Sequence, residues 1–316
     1  MKAVVATGYG PPGHLTVADM PIPRPGPGQV QVRIAAASIN PMDVRLPAGD
    51  FRDAAELAFP HVLGNDFAGT VSEVSEVGAG VEAYHVGDEV FGHAVPRALR
   101  AMVDAGRPSL TTGTLAEYAV FEADTPFIAH RPAALDVAEA AALPTVGLTV
   151  QALLATAAPQ PGETVLVVGA SGGVGTTLLP RLTGTTVIAT GRPPDADLLR
   201  AKGATEVIDY ADEYPDQVDL AFNLVLPSDR LQRVGRALRP GGRLYTITFP
   251  QPDPAFLDRR DVRFDLVLDV EGRFGGMREV AALTPTVGRR YPLAEGVRAL
   301  TDFVGRHTLG KLVLTV

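Results

Sequence analysis

The chain contains no cysteine. That absence excludes disulfides, thiolate zinc sites and cysteine nucleophiles together, and it suits a reducing compartment, for which the cytoplasm is the expectation. A basic excess is also missing. With 36 acidic against 28 basic side chains the formal charge is −8, which offers phosphate backbones no attractive face and argues against a nucleic-acid partner. Long apolar runs are lacking too. The stretch MKAVVATGYGPPG turns to glycine and proline before an apolar h-region forms, so no signal peptide is expected. The most membrane-like stretch, AAALPTVGLTVQALLATAA at 140–158, is interrupted by Pro144, Gly147 and Gln151, which fits a buried helix and no membrane partner. Histidine is scarce. The six, at 14, 61, 85, 93, 130 and 307, include no i, i+4 pair, so no helical metal site is visible.

What is present is 316 residues at 46% apolar, enough to bury a large core and to favour two domains over one. The early chain reads as strands and turns: Val30 to Ala35 alternates, 68–77 alternates again, and Gly78, Gly80, Gly87 and Asp88 punctuate the chain beyond. A small β-rich barrel is expected there. From about 126 the rhythm changes. Strand-like runs at 164–168, 185–190, 206–210, 219–225 and 243–248 alternate with helical stretches near 174–183, 195–202 and 228–238, the pattern of βαβ units building a parallel sheet. Pro180 is expected to kink or end the first of these helices. The tail offers a helix near 292–305 and a final strand at 311–316.

The string VLVVGASGGVGTT at 165–177 has two readings. Gly169-Ala170-Ser171-Gly172-Gly173 fits G-x-S-x-G, the elbow that presents a hydrolase serine, and Asp302 and His307 would complete a Ser, Asp, His order. The overlapping Ala170 to Gly175 fits the turn that lays a pyrophosphate on a helix N-terminus, with Ser171, Gly172, Gly173, Val174 and Gly175 lining it. Context favours the second. A hydrolase elbow follows several strands of its own parallel sheet, whereas here the preceding segment reads as barrel, and five strand-like runs in βαβ rhythm accompany the turn. A Rossmann-type domain is therefore expected.

The stretches AASINPMDVRLPAG (36–49), VLGNDFAGTVSEV (62–74), VGDEVFG (86–92), GTLAEYAVF (113–121), LPTVGLT (143–149), the glycine turn, GATEVIDY (203–210), YPLAEGVRAL (291–300) and GKLVL (310–314) resemble the medium-chain dehydrogenase/reductases, in their zinc-free quinone oxidoreductase and enoyl reductase branch. The resemblance implies an α/β fold. A GroES-like β-barrel catalytic domain at 1–125, completed by 266–316, would surround a Rossmann doubly wound parallel-sheet domain at 126–265. It also implies a nicotinamide cleft between them and a homodimer.

Zinc alcohol dehydrogenases of the superfamily carry a cysteine where Asn40 stands and a His-Glu pair where Asn65-Asp66 stands, so no metal is expected here. Without a Lewis acid an alcohol is hard to oxidise, whereas hydride can add to an enone or quinone whose developing oxyanion is stabilised by hydrogen bonds. The expected substrate is therefore a quinone or an α,β-unsaturated carbonyl compound. By resemblance, Asn40, Asn65 and Thr145 are the catalytic candidates. Asn40 and Thr145 would lie beside the nicotinamide, although a turn asparagine and a helix cap are ordinary alternatives. Asn65 would either face the substrate or satisfy a buried backbone group. Phe249 would border the cofactor or pack in the core, Val225 closes its run toward the cofactor, and Lys311 would reach cofactor phosphate or solvate the strand end.

Two departures stand out. Tyrosines common near the positions of Arg45 and Phe51 in that branch are absent, so no proton donor can be named, and the segment 93–112 is longer than the connection needs, which places specificity there. Cofactor choice is read from the second strand of the nucleotide domain. It ends Thr190-Gly191-Arg192 with no acid to accept from a ribose 2′-hydroxyl, and an arginine able to fork onto a phosphate, so NADPH is expected. Tyr210 resembles a family residue near that phosphate. Asp195 is expected to cap the following helix. A dinucleotide-binding sensor or structural protein with little turnover is the alternative function.

Overall fold

The computed structural model describes residues 1–53, 55–103, 106–269 and 271–316. The chain divides into two units, Met1–Leu148 with Val270–Val316, and Thr149–Asp269. The first boundary falls later than 125/126. The helix Val137–Ala142 explains why: its alanines Ala138, Ala140, Ala141 and Ala142 pack with Ala36, Ala68 and Phe91 of the barrel strands. Small side chains on both partners let helix and sheet approach closely. Asp136 starts this helix, its carboxylate accepting from the amides of Ala138 at 3.0 Å and Glu139 at 3.4 Å.

The first unit is organised on the strand Gln29–Ser38, which pairs antiparallel with Asp66–Val74 on one side and with Tyr118–Glu122 on the other. Val30, Val32 and Ile34 enter one core cluster, Ala36 enters a second, and Ala37 and Ile39 return to the first. A register shift between Ile34 and Ala36 accompanies this change of face, because side-chain direction has a period of two and one irregular residue inverts it. The last strand, Lys311–Thr315, pairs antiparallel with the end of Gln29–Ser38, Val313 lying opposite Ser38. Ser38 also lies opposite Asp66, and Asp66 opposite His93. Four strands thus bring these positions into one row.

In the second unit six parallel strands take the order Glu206–Ile208, Thr186–Thr190, Thr164–Val168, Val218–Asn223, Leu238–Thr246, Arg263–Leu266. Numbered along the chain this is 3-2-1-4-5-6, the doubly wound dinucleotide-binding order, in which ligands sit outside the carboxyl ends of the strands. Five of the six match the expected runs; Arg263–Leu266, with mixed exposure and no alternation, was not anticipated. The helix after the glycine turn, Gly173–Leu178, gives way to a 3-10 turn at Leu179–Arg181 that contains Pro180, as a proline there requires. Two boundaries are shorter than expected. The strand Val218–Asn223 ends before Val225, and Leu238–Thr246 ends before Phe249.

Candidate active site

The row of strand ends in the first unit carries a cluster of buried polar side chains centred on Asp66. Gly64 sets up the approach: its φ is +107°, and a Cβ there would lie 2.3 Å from Thr114 Oγ1, so only glycine fits the turn that delivers Asn65 and Asp66. The Asp66 carboxylate is fully buried and densely supplied with donors. Oδ2 accepts from Asn40 Nδ2 at 2.8 Å and Ser38 Oγ at 3.2 Å, while Oδ1 accepts from Thr145 Oγ1 at 2.6 Å and lies 3.0 Å from His93 Nδ1. The Thr145 amide reaches both oxygens, at 3.2 and 3.3 Å. Asp66 therefore caps the first turn of the helix Pro144–Ala157 from a distant strand, where the helix dipole favours an anion. Burial pushes this carboxyl up, but the His93 hydrogen bond, the Lys311 charge and the Thr145 hydroxyl outweigh it and hold the group below its usual range.

Lys311 is the buried cation of the cluster. Its Nζ donates to the Ile39 carbonyl at 2.7 Å and Asn40 Oδ1 at 2.5 Å, and lies 3.8 Å from Asp66 Oδ2. Burial depresses its pKa against the opposing pull of Asp66 and Asp43. A third ionisable group, Asp43, accepts from the Asn40 amide at 2.7 Å through Oδ2, while its Oδ1 has no partner among the described residues. Burial raises Asp43 to about 7.

These contacts revise three expectations. Lys311 does not solvate a strand end; its ammonium is buried on Asn40. Asn40 spends both halves of its amide inside the cluster, on Lys311 and Asp66, and Thr145 spends its hydroxyl proton on Asp66. Asn65 satisfies no backbone group with its side chain. Its Oδ1 is buried without a hydrogen-bond partner among the described residues, and only its main-chain carbonyl is engaged, by the Ala94 amide at 2.9 Å. The segment 93–112 forms a short parallel pair, Val95–Pro96 with Leu110–Thr111, and a 3-10 turn Arg97–Met102 whose Leu99 packs on Leu46 and Leu57. Positions 104 and 105 of that segment lie outside the described residues.

In the second unit the glycine turn has three distinct requirements. Gly169 has φ +95° and Gly175 lies so close to the turn that a Cβ would come within 2.5 Å of the Ala170 backbone, whereas Gly172 is open, with only the Gly169 carbonyl at 3.5 Å. Tight turn, close packing and unobstructed backbone are the three glycine roles of a pyrophosphate cradle. Gly173 and Val174 open the helix, where backbone donors have no intrahelical partner. Thr190 Oγ1 accepts from the Gly169 amide at 2.9 Å and so ties the next strand end to the turn.

Ser171 is not an exposed elbow nucleophile. It is buried, and its Oγ donates to Asp195 Oδ2 at 2.7 Å; Asp302 meanwhile accepts from Tyr291 Oη at 2.8 Å and pairs with Arg306, whose Nε lies 3.1 Å away. Asp195 makes no side-chain cap on the helix Ala196–Ala201, because its carboxylate is turned to Ser171. Gly191 does not open space at the tip; it is the residue that fits there, because a Cβ would meet Leu199 at 2.4 Å and Ser171 Oγ at 3.1 Å, and Arg192 beside it is exposed. Tyr210 is half-buried near Thr190 and Arg192, and burial raises its hydroxyl pKa. Val225 and Phe249 are not core residues; they are 51% and 45% exposed beyond their strand ends. Asn223 fixes those loops, its Nδ2 donating to the Leu226 carbonyl at 2.7 Å, Thr246 Oγ1 at 2.8 Å and Thr248 Oγ1 at 3.0 Å.

Residues 26–131 match the alcohol dehydrogenase GroES-like domain, and residues 202–314 match the zinc-binding dehydrogenase domain. A chloroplastic NADPH-dependent alkenal/one oxidoreductase of Arabidopsis thaliana is 28% identical over 99% of this chain and 79% of its own length. Among solved structures, an NAD-dependent alcohol dehydrogenase is 30% identical with full coverage of both chains and a TM-score of 0.80. The quinone oxidoreductase of Coxiella burnetii is 27% identical, with 100% and 99% coverage and a TM-score of 0.80. The chain belongs to the medium-chain dehydrogenase/reductase superfamily. Within it, the chain falls in the quinone oxidoreductase branch.

Sequence reasoning found the glycine turn and the strand tip but missed Asp66, His93, Ser38 and Asp43 as members of one cluster. Each lies within or beside a recognisable stretch, yet the signal joining them is strand register, which is not local.

Proposed function

We propose that the protein is an NADPH-dependent reductase of quinones or α,β-unsaturated carbonyl compounds that works without zinc. The observation that carries this reading is the occupant of the place where zinc dehydrogenases of the superfamily carry their ligands. Asn40 there is locked between Lys311 and Asp66, and the ammonium 3.8 Å from Asp66 already supplies the cation. Among the described residues no group of three His, Cys, Asp or Glu side chains is placed to hold a metal. This donor set does not fit zinc.

The nucleotide site does fit its cofactor. The open backbone at Gly172, the amides of Gly173 and Val174 and the ties of Thr190 favour a pyrophosphate, and exposed Arg192 beside Gly191 favours a 2′-phosphate over a bare ribose. NADPH, when bound, supplies hydride. Val225 and Phe249 offer apolar surface at the carboxyl ends of the strands, where that fold binds its ligands. The Asn65 side chain makes no hydrogen bond among the described residues, and its Nδ2–H is assigned as the donor to the substrate carbonyl, while Asn40 and Thr145 position Asp66. The name of the Arabidopsis relative, an alkenal/one oxidoreductase using NADPH, agrees with this chemistry. We assign catalysis to the GroES-like unit and dinucleotide binding to the Rossmann unit, in a cytoplasmic homodimer.

A panel of quinones and enones with NADPH and NADH, with and without a strong chelator, tests the proposal. Turnover that prefers NADPH and survives chelation is the expected result. Chelator-sensitive turnover restored by zinc, or no turnover on the panel, would overturn it.

A further inference from the structure

We propose that His93 is the proton donor of the reaction, presenting Nε2–H to the α-carbon of the reduced enone while Asp66 and Thr145 hold its other nitrogen. The inference rests on the reductase reading above. Among the ionisable groups of the cluster His93 is the most accessible: its side chain is 19% exposed, against 0% for Asp66 and 6% for Lys311.

The protonation pattern of the ring follows from its neighbours. Thr145 Oγ1 has one proton and commits it to Asp66 Oδ1 at 2.6 Å, so toward His93 Nδ1, 3.0 Å away, it can only accept. Asp66 is ionised, with its carboxyl held below the usual range, so it too can only accept at 3.0 Å. Nδ1 therefore carries a hydrogen toward these two acceptors, and the nitrogen left to exchange a proton is Nε2. That nitrogen makes no hydrogen bond among the described residues and is not among the buried atoms left without a partner.

A carboxylate fixing one imidazole nitrogen so that the other exchanges a proton is the arrangement of a general acid. The charges that share Asp66 with the ring are Lys311, 3.8 Å from Asp66 Oδ2, and Asp43, which feels both Asp66 and Lys311. The main chain is also anchored: Ser109 Oγ donates to the His93 carbonyl, and the Phe127 ring meets the imidazole edge-on at 6.4 Å between centroids. This places the donor in the strand Glu89–His93, in a chain that lacks the loop tyrosines near Arg45 and Phe51.

The step balances. Hydride adds to the β-carbon and the π pair moves toward the carbonyl as an enolate. The enolate α-carbon takes the Nε2 proton, the N–H pair stays on nitrogen, and neutral imidazole is reprotonated from solvent. A quinone needs less help, because its product anion is protonated on oxygen by water.

His93→Gln, whose amide can still donate to Asp66, is the test variant. Expected are an unchanged Kd for NADPH, a fall in enone kcat of about 100-fold or more and quinone kcat within about threefold. The decline of kcat at high pH should disappear, and deuterium from D2O should enter the α-carbon without facial preference. Enone kcat, pH profile and facial preference equal to the wild type would overturn the donor role while leaving the reductase reading intact. A wild-type protein inactive on both substrate classes would overturn both. Nitrogen-15 NMR of the ligand-free wild type needs no variant: Nδ1 protonated throughout the titration is expected, and a neutral ring protonated on Nε2 would overturn the proposal.

Discussion

The Asp66 cluster and the glycine turn each gather polar groups at strand ends, by opposite means. The turn is local: Gly169 to Gly175 fold back within seven positions, the groups on offer are backbone amides, and Arg192, at the tip of the next strand, stands in solvent. The cluster is assembled from Asn40, Asp66, His93, Thr145 and Lys311, residues as far apart as 271 positions, and its charges are almost wholly buried. Burying a charge costs several kcal/mol unless partners replace the water. Asp66 therefore needs its ring of donors, and the ring needs Asp66. In the cluster the fold and the proposed chemistry depend on the same atoms, whereas at the turn they are separable.

Breaking the buried pair should have the largest effect. Lys311→Met leaves Asp66 without the ammonium 3.8 Å away, and a loss of about 3–5 kcal/mol in chemical denaturation is expected. A loss below about 1 kcal/mol would show that the cluster is no more integral to folding than the turn. Arg192→Ala makes the opposite case. We expect kcat/KM for NADPH to fall about 10- to 100-fold, NADH to be nearly unaffected, and stability to stay within about 0.5 kcal/mol. Equal losses with both cofactors would mean that the 2′-phosphate is not read there.

The same contrast decides what could be read from the sequence. A turn whose function depends on glycines at fixed short spacing announces itself, and so did the βαβ rhythm behind it and the helix end at Pro180. Asp66 and Lys311 were visible only as letters in GNDFAG and GKLVL. Their partnership depends on the last strand lying antiparallel on Gln29–Ser38, a pairing across more than 270 residues. Lys311 at a strand end reads as solvated because that is the ordinary fate of lysine; its burial follows from the register that sets it on Asn40. Asp195 was missed for a different reason. An aspartate before a helix is normally a cap, and only the three-dimensional approach of Ser171 diverts its carboxylate.

Ser171→Ala sharpens this middle case, where a local turn touches a buried charge. Asp195 is buried and would lose a hydroxyl donor at 2.7 Å, so a cost of about 1.5 kcal/mol is expected, with little change in NADPH affinity because the hydroxyl is already committed. Unchanged stability together with a large rise in the NADPH KM would place the hydroxyl on the phosphate instead.

The smallest expected effect concerns pH, and it belongs to the cluster alone. Asp43 is raised to about 7 by burial, from an ordinary value of 3.8. Between roughly pH 4 and 7 the folded protein thus keeps a proton that the unfolded chain has released. This contribution is fully present below the unfolded value and is lost as pH rises through the folded one, so it makes stability fall toward neutrality. Asp43→Asn removes the titration while keeping a carbonyl for the Asn40 amide, now 2.7 Å from Asp43 Oδ2. Asp66 and Lys311 share the field, so we expect the variant to lose less stability than the wild type between pH 5 and 8, by on the order of 1 kcal/mol. The uniform cost of placing an amide there cancels in that difference. Arg192→Ala is the control, because its exposed side chain should leave the curve unchanged. Parallel curves for Asp43→Asn and wild type would mean that Asp43 stays ionised in the fold, with Lys311 as effective counter-charge to two carboxylates rather than one.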